Sequence, residues 1–289
     1  MASAAVPVKR EVARERTAPH LKSAFVARGF VWLWLVGFAT FPILYLLIVS
    51  FTRQPDLLAG NFPPPTLTLL NWPRAFQSVP IIEYLQNSLT AAGVGAVITV
   101  VIAVPAAYAM ARFKLWGGRL LSIVVSTYIA PPVLAVFPLF YMFRAAGLTN
   151  SEVGLAVVYG LANVPVAVWL LEGFVRRVPI EIEEAALVDG ASSYQLLWKV
   201  VFRLMAPGIV AAAIICFILS YNELLVAQFF TTSTASQTLP VGISLFQGDR
   251  QVQFGQMAAA SLTGLIPVYM AAVFLQRGLG EGLEQGALK

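Results

Sequence analysis

Long stretches without any charged residue constrain the fold of this chain more than any other feature. A bilayer core about 30 Å thick needs about 20 apolar residues of α-helix to cross it. Five stretches of that length or longer contain no Asp, Glu, Lys or Arg, and a sixth, from Arg203 to Asp249, contains only Glu223. The pattern predicts six transmembrane helices, at residues 29–50, 87–110, 120–143, 153–174, 207–230 and 257–276.

The composition supports a membrane protein and excludes a soluble one. Hydrophobic residues make up 58% of the 289 residues, and charged residues only 11%. A soluble domain carries about 25% charged residues because its surface faces water. We therefore expect an all-α integral membrane protein, with a six-span domain at 29–276 between an N-terminal tail, 1–28, and a C-terminal tail, 277–289.

The positions of Lys and Arg predict the orientation. The net charge of +5 is spread around the apolar stretches and does not form the basic face that nucleic-acid binding would need. With the N-terminus inside, fifteen of the 19 Lys and Arg residues lie on the inner side and four on the outer side. Positive charge concentrates on cytoplasmic loops, so both termini are predicted to be cytoplasmic in a multi-pass protein of the bacterial inner (plasma) membrane.

Prolines and polar runs predict where helices stop. The adjacent Pro131-Pro132 predicts a break near the middle of the third span, because proline cannot donate a backbone hydrogen bond. Single prolines inside other spans favour a kink or a helix that lines a polar cavity. Residues 51–83, with three consecutive prolines, and residues 231–256, with a Ser/Thr-rich start, are predicted to be extended connectors.

The longest internal loop on the inner side, 175–206, has the pattern of two short helices joined by a hinge. Pro179 suits a first helical turn, and the glutamates after it complement the positive end of the helix. Gly190 stands where a helix terminus favours a left-handed residue. Ser192 or Ser193 then suits the start of a second helix.

Here the sequence resembles the permease subunits of bacterial ABC importers. Glu184-Ala185-Ala186 followed by Asp189-Gly190-Ala191 is similar to the "EAA" loop of that family, and the likeness extends from about residue 28 to the end. The carbohydrate branch, and within it the maltose-type second permease, is the most similar. The supporting segments are Asn87-Ser88-Leu89, residues 106–113, residues 165–171, Asn222-Glu223 and residues 282–289.

The resemblance implies the type I permease fold of ABC importers and a mechanical role in ATP-driven sugar import. Glu184, Ala185, Ala186, Asp189 and Gly190 would couple the spans to an ATP-hydrolysing subunit. The implied partners are a second permease, two ATP-binding subunits, an external substrate-binding protein, the sugar and the lipid bilayer. ATP and Mg would be bound by the ATP-binding subunits, with no cofactor on this chain.

The sequence also departs from the family. The family usually has a Leu-Pro pair about a dozen residues after the loop glycine, and Phe202-Arg203 stands there. We therefore expect the second loop helix to continue for an extra turn before the chain enters the membrane.

Glu223 is the one acid predicted to lie well inside a span. Carboxylates in membranes are costly and usually face a cavity or a partner. Tyr221, Asn222 and Glu223 together offer groups that suit a neutral sugar, so they are candidates for the substrate path or the external gate. Alternatively, Glu223 holds a neighbouring helix or the partner permease by a hydrogen bond.

Several functions are disfavoured by missing residues. Cys216 and His20 are the only residues of their types, so a disulfide, a metal site and a Cys–His catalytic pair are not expected. The sequence has no phosphate-binding glycine loop, so the chain is not expected to be an enzyme itself. The alternatives are a permease for another solute, such as glycerol phosphate or a polyamine, and a stand-alone ion-coupled carrier.

Overall fold

The computed structural model describes residues 20–113, 119–129, 132–248 and 251–287, and these form helices joined by short irregular segments. Residues 1–19 and 288–289 of the predicted tails, and Pro131, lie outside the described residues. By its contacts the chain divides into two units, residues 1–45 and 46–289.

Within the described ranges every regular element is a helix, apart from an isolated β-bridge between Thr52 and Leu67. In the first half of the chain they are α1 His20–Ser50, α2 Gln54–Leu58, α3 Asn71–Ser78, α4 Ile81–Phe113, α5 Arg119–Ile129, α6 Pro132–Ala145, α7 Glu152–Ala162 and α8 Val164–Val175. In the second half they are α9 Ile180–Val188, α10 Ser193–Gln195, a π-helix Leu196–Val201, α11 Phe202–Leu204, α12 Ala206–Tyr221, α13 Leu225–Phe230, α14 Leu239–Ser244 and α15 Phe254–Ala287.

Three helices, α1, α4 and α15, each contain a segment that is long and apolar enough to cross a membrane by itself. Three bent helix pairs raise the possible number of spans to six, as the charge pattern predicts. The α5 and α6 segments differ in direction by 86°, on either side of the predicted Pro131-Pro132 break. Single prolines inside α1, α4, α6 and α15 leave those helices unbroken.

Two predicted spans are divided in the structure, and in the fourth the bend lies beside Pro165, one of the prolines for which a kink was expected. The fourth is divided at Asn163 into α7 and α8, which are inclined by 47°. The fifth is divided at residues 222–224 into α12 and α13. Glu223 therefore lies in a break between two helices of the predicted span.

The predicted extended connectors were also partly wrong. Residues 51–83 contain α2 and α3, and residues 231–256 contain α14. The reason is tertiary: the Asn71 amide at the start of α3 donates to the carbonyls of Ser50 and Thr52, at 3.0 and 2.8 Å, and anchors α3 to the end of α1. The triple-proline stretch itself is irregular, as predicted.

Helix α4 is central to the second unit, since it packs against α7, α8 and α12. Its buried residues are mostly small, which lets the helices approach closely, as is common in membranes. Where α4 crosses α7, Thr99 donates to the carbonyls of Gly95 and Gly160 at 3.0 and 2.8 Å. The single cysteine, Cys216 on α12, is fully buried in the core that α4, α8 and α12 share.

Candidate functional site

The first helix of the 175–206 loop, α9, ends in the predicted hinge. Gly190 has a φ of +87°, in the left-handed region, which confirms the expected conformation. Its N–H donates to the Leu187 carbonyl at 3.0 Å, and the Ala191 N–H donates to the Ala186 carbonyl at 3.0 Å. These two bonds form a Schellman motif, which satisfies carbonyls at the helix end. A Cβ at Gly190 would meet nothing within 4 Å, so only the backbone conformation requires glycine there.

Glu183 attaches α9 to the end of α4. Its carboxylate accepts hydrogen bonds from the Arg112 guanidinium at 2.8 Å and from the Tyr108 hydroxyl at 2.9 Å. Arg112 also donates to the Val178 carbonyl at 2.7 Å, just before α9 begins. The side chains of Arg112 and Glu183 are only 14% and 6% exposed. We call these four residues the α4–α9 clamp.

The sequence did not predict the clamp, because the glutamates after Pro179, Glu183 among them, were expected only to complement the positive end of the helix. Tyr108 and Arg112 are four residues apart and therefore share one face of α4. A buried carboxylate needs a cation and hydrogen-bond donors to offset its lost hydration, and this face supplies both. The available signal was an arginine and a tyrosine on one face at the end of a span, close to a loop rich in glutamate.

The coupling residues named by the resemblance divide between two faces of α9. Glu184, Ala185 and Asp189 are exposed, while Ala186 is half-buried and packs against the core. Two large apolar side chains share the exposed surface, Leu187 at 49% and Val188 at 87% exposure. Exposed apolar groups of this kind, rimmed by acids, are typical of a protein-docking surface.

The second helix of the loop begins with the predicted serine cap. The Ser192 hydroxyl accepts from the Gln195 N–H at 3.3 Å, and the Gln195 side chain accepts from the Ser192 N–H at 3.0 Å. This capping box satisfies two free donors at the helix start. The helical segment Ser193–Leu204 then continues past Phe202-Arg203, in line with the expected extra turn, and bends by 78° into α12.

Glu223 caps the helix that follows it. Its carboxylate accepts from the Val226 N–H at 2.9 Å and from the Ala227 N–H at 3.2 Å. The backbone carbonyl of Glu223 accepts from the Tyr159 hydroxyl on α7 at 3.3 Å. An acid in this position satisfies the first donors of α13, which no water would reach inside a bilayer.

The two residues before Glu223 have surroundings that differ from each other. The Tyr221 side chain is buried, and its hydroxyl donates to the Gly264 carbonyl on α15 at 3.1 Å. Asn222 is exposed, and its amide donates to the Ile218 carbonyl at 2.8 Å. The three candidate path residues thus lie in three different environments of the isolated chain.

A family model described as "Binding-protein-dependent transport system inner membrane component" matches residues 99–283, which include both the loop and the break at Glu223. The chain belongs to this family. It is therefore a multi-pass membrane component of a transport system.

Two relatives are similar to this chain over most of the chain's length. The sulfoquinovosyl glycerol transport system permease protein SmoH of Agrobacterium fabrum is 33% identical, over 94% of this chain and 98% of that protein. The trehalose/maltose transport system permease protein MalG of Thermococcus litoralis is 34% identical, over 86% and 91% respectively.

A solved structure has the same fold. It is a chain of a bacterial ABC transporter involved in the import of the acidic polysaccharide alginate. The TM-score is 0.72 at 20% identity, covering 90% of this chain and 98% of the other. The all-helical permease fold of an ABC importer is therefore that of this family member.

Proposed function

We propose that this chain is the permease subunit of an ATP-driven sugar importer in the bacterial inner membrane, with both termini in the cytoplasm. It forms half of the translocation path together with a second permease. Two ATP-binding subunits dock on the inner side, where they bind ATP and Mg, and an external binding protein delivers the sugar. The 15-to-4 distribution of Lys and Arg supports this orientation.

The α4–α9 clamp supports the coupling role. The outer face of α9 exposes Glu184, Leu187 and Val188, while its inner face is attached through Glu183 to Arg112. A buried ion pair with two further hydrogen bonds is a stiff connection, because separating it would leave a charge unpaired. Movement of a docked ATPase would therefore pass from α9 to α4, and from α4 to the helices packed against it.

A sugar is the favoured solute. Both relatives described above are named for sugar or glycoside transport, and the hydroxyl groups of a sugar are recognised by amide, hydroxyl and aromatic contacts. A glycerol-phosphate path would need cations deep in the spans, and no Lys or Arg lies inside the predicted spans. An ion-coupled carrier usually needs free intramembrane acids. Glu223 is held by two backbone N–H groups, which disfavours that alternative.

The test is a charge reversal on the exposed face of α9. Glu184→Lys changes the charge offered to the ATPase without disturbing the core, since Glu184 is exposed and belongs to neither ion pair of the described residues. In proteoliposomes with all partners, we expect normal assembly of the two permeases but weak ATPase binding or ATP hydrolysis without sugar uptake.

Glu83→Lys is the matched control, because Glu83 is also exposed but lies at the opposite end of α4 from the clamp. The control should retain ATP hydrolysis coupled to uptake. Normal uptake by Glu184→Lys, or ATP hydrolysis by the isolated chain, would contradict the proposal.

A further inference from the structure

The second loop helix and α12 form a sharp elbow at Met205. The segment Ser193–Leu204 and the segment Ala206–Tyr221 are inclined by 78°. If α12 crosses the bilayer, the preceding segment lies almost in the membrane plane, at the depth where the apolar span begins. Helices in that position usually place apolar side chains against the membrane and basic side chains near the lipid headgroups.

The elbow contains a pocket of about 490 Å³. It is lined by Trp198, Lys199, Phe202, Arg203 and Ala206, the last being the first residue of α12. Lys199 and Arg203 are exposed and lie four residues apart, so both cations reach the same space. Neither forms an ion pair with a carboxylate of the described residues.

An aromatic row runs beside the two cations. The ring of Trp198 lies 6.3 Å from that of Tyr194 and 5.5 Å from that of Phe202, measured between centroids. Tyrosine and tryptophan are enriched at membrane interfaces because their rings are apolar and their polar atoms reach water. The same segment is fixed to the core through Leu196 and Val201, and Phe202 packs against that core at the inner edge of the pocket. Lys199 and Arg203 are exposed at its outer edge.

We propose that this elbow pocket binds the phosphate headgroup of an anionic phospholipid, such as phosphatidylglycerol. The phosphate accepts hydrogen bonds from Lys199 and Arg203, and the glycerol backbone and upper acyl chain lie along the Trp198 and Phe202 rings. An acidic surface of an ATPase subunit is a different partner for the same cations. The lipid is favoured because the pocket adjoins the apolar span at Ala206 and carries two aromatic rings.

This site goes beyond the proposed transport function, since it concerns how the coupling segment is held at the membrane. It is also consistent with Arg203 standing where the permease family usually has proline. A proline at position 203 would remove one of the two cations of the pocket, and with it that cation's hydrogen-bond donors.

The experiment counts lipids retained by the assembled complex. The complex is reconstituted in nanodiscs of phosphatidylcholine containing increasing phosphatidylglycerol, and native mass spectrometry measures the phosphatidylglycerol that remains bound. The Lys199→Gln/Arg203→Gln double variant is compared with the wild type and with Arg74→Gln/Arg144→Gln. The control loses the same charge from two exposed arginines far along the chain from the elbow.

We expect the double variant to retain one phosphatidylglycerol fewer per copy of this chain, with apparent affinity lower by about fivefold for each cation removed. The control pair and the charge-preserving Lys199→Arg should retain the lipid. A normal elution profile and normal amounts of both permeases would show that the double variant is folded.

Three outcomes would overturn the proposal. The first is equal lipid retention by the double variant and the wild type. The second is displacement of the lipid by inorganic phosphate at equal concentration, which would indicate a free-phosphate site. The third is loss of the ATPase subunit from the double variant with lipid retention unchanged, which would assign the cations to a protein contact.

Discussion

Two interruptions of helix in this chain, at Gly190 and at Glu223, are stabilised in different ways. At Gly190 the backbone itself turns through the left-handed conformation, and a Cβ at this position would contact nothing within 4 Å. At Glu223 a side chain supplies the missing acceptors for Val226 and Ala227. The first lies in a loop that faces water, where remaining polar groups can be hydrated. The second lies within an apolar stretch, where unpaired N–H groups cannot be hydrated by a bilayer.

The two regions also depend on different acids, Glu183 and Glu223. Glu183 holds one helix against another through side chains of α4, whereas Glu223 holds the start of its own helix. Replacing Glu183 should therefore release a whole segment, while replacing Glu223 should loosen one helix end.

The largest effect is expected for Glu183→Ala. It leaves the guanidinium of Arg112 buried without its anion, which costs about 3–5 kcal/mol for a pair of this kind. Hydrogen exchange of the α9 amides should accelerate strongly, while exchange in α4 and α12 changes little. Glu184→Ala, one residue along and exposed, is the control and should change local stability by less than about 0.5 kcal/mol. Equal exchange in the two variants would show that the clamp does not hold α9.

A smaller effect is expected for Glu223→Ala, which leaves two N–H donors of α13 without an acceptor, at a cost of about 1–3 kcal/mol. The amount of assembled complex should fall, with transport per complex little changed. Glu223→Gln keeps an acceptor oxygen and should restore assembly. If Glu223→Gln assembles normally but abolishes transport, Glu223 belongs to the substrate path or gate, and the contrast between the two interruptions would need revision.

The smallest effect on stability is expected for Gly190→Val, since a β-branched residue in the left-handed region costs at least about 1 kcal/mol. The strain falls on the hinge, so the spans should insert and fold while coupling of ATP hydrolysis to uptake is impaired. Gly190→Asn is the matched control, because asparagine tolerates this conformation and the site is open. Similar uptake by both variants would mean that the hinge geometry is not needed for coupling.

Features governed by local chemistry were predictable from the sequence. The end of α9 at Gly190 and the capping box at Ser192 follow from residue types within one helical turn. The six apolar stretches follow from the spacing of the charged residues. The Glu183–Arg112 pair was not predictable in the same way, because 71 residues separate its members. At the break between α7 and α8, which Pro165 favours locally, the Asn163 amide also donates to the Ser220 hydroxyl on α12, at 2.9 Å. Such contacts are tertiary and leave no periodic pattern.

The roles of Glu184, Tyr221 and Asn222 stay predictions, because they concern groups that the chain offers to other molecules. An exposed carboxylate has the same local geometry whether it faces water or an ATPase. What the structure adds is the division of α9 into an anchored face and a free face, which tells an experimenter which substitutions test coupling and which test folding.

The burial of Cys216 has a practical consequence for labelling experiments on α9. The only thiol of the chain is enclosed between helices, so reagents that label cysteine should not reach it in the folded protein. A cysteine introduced at Val188, which is 87% exposed at the end of α9, would then be the one reactive thiol. A fluorophore attached there would report the docking of a partner on this face of α9, without first removing the native cysteine from the core.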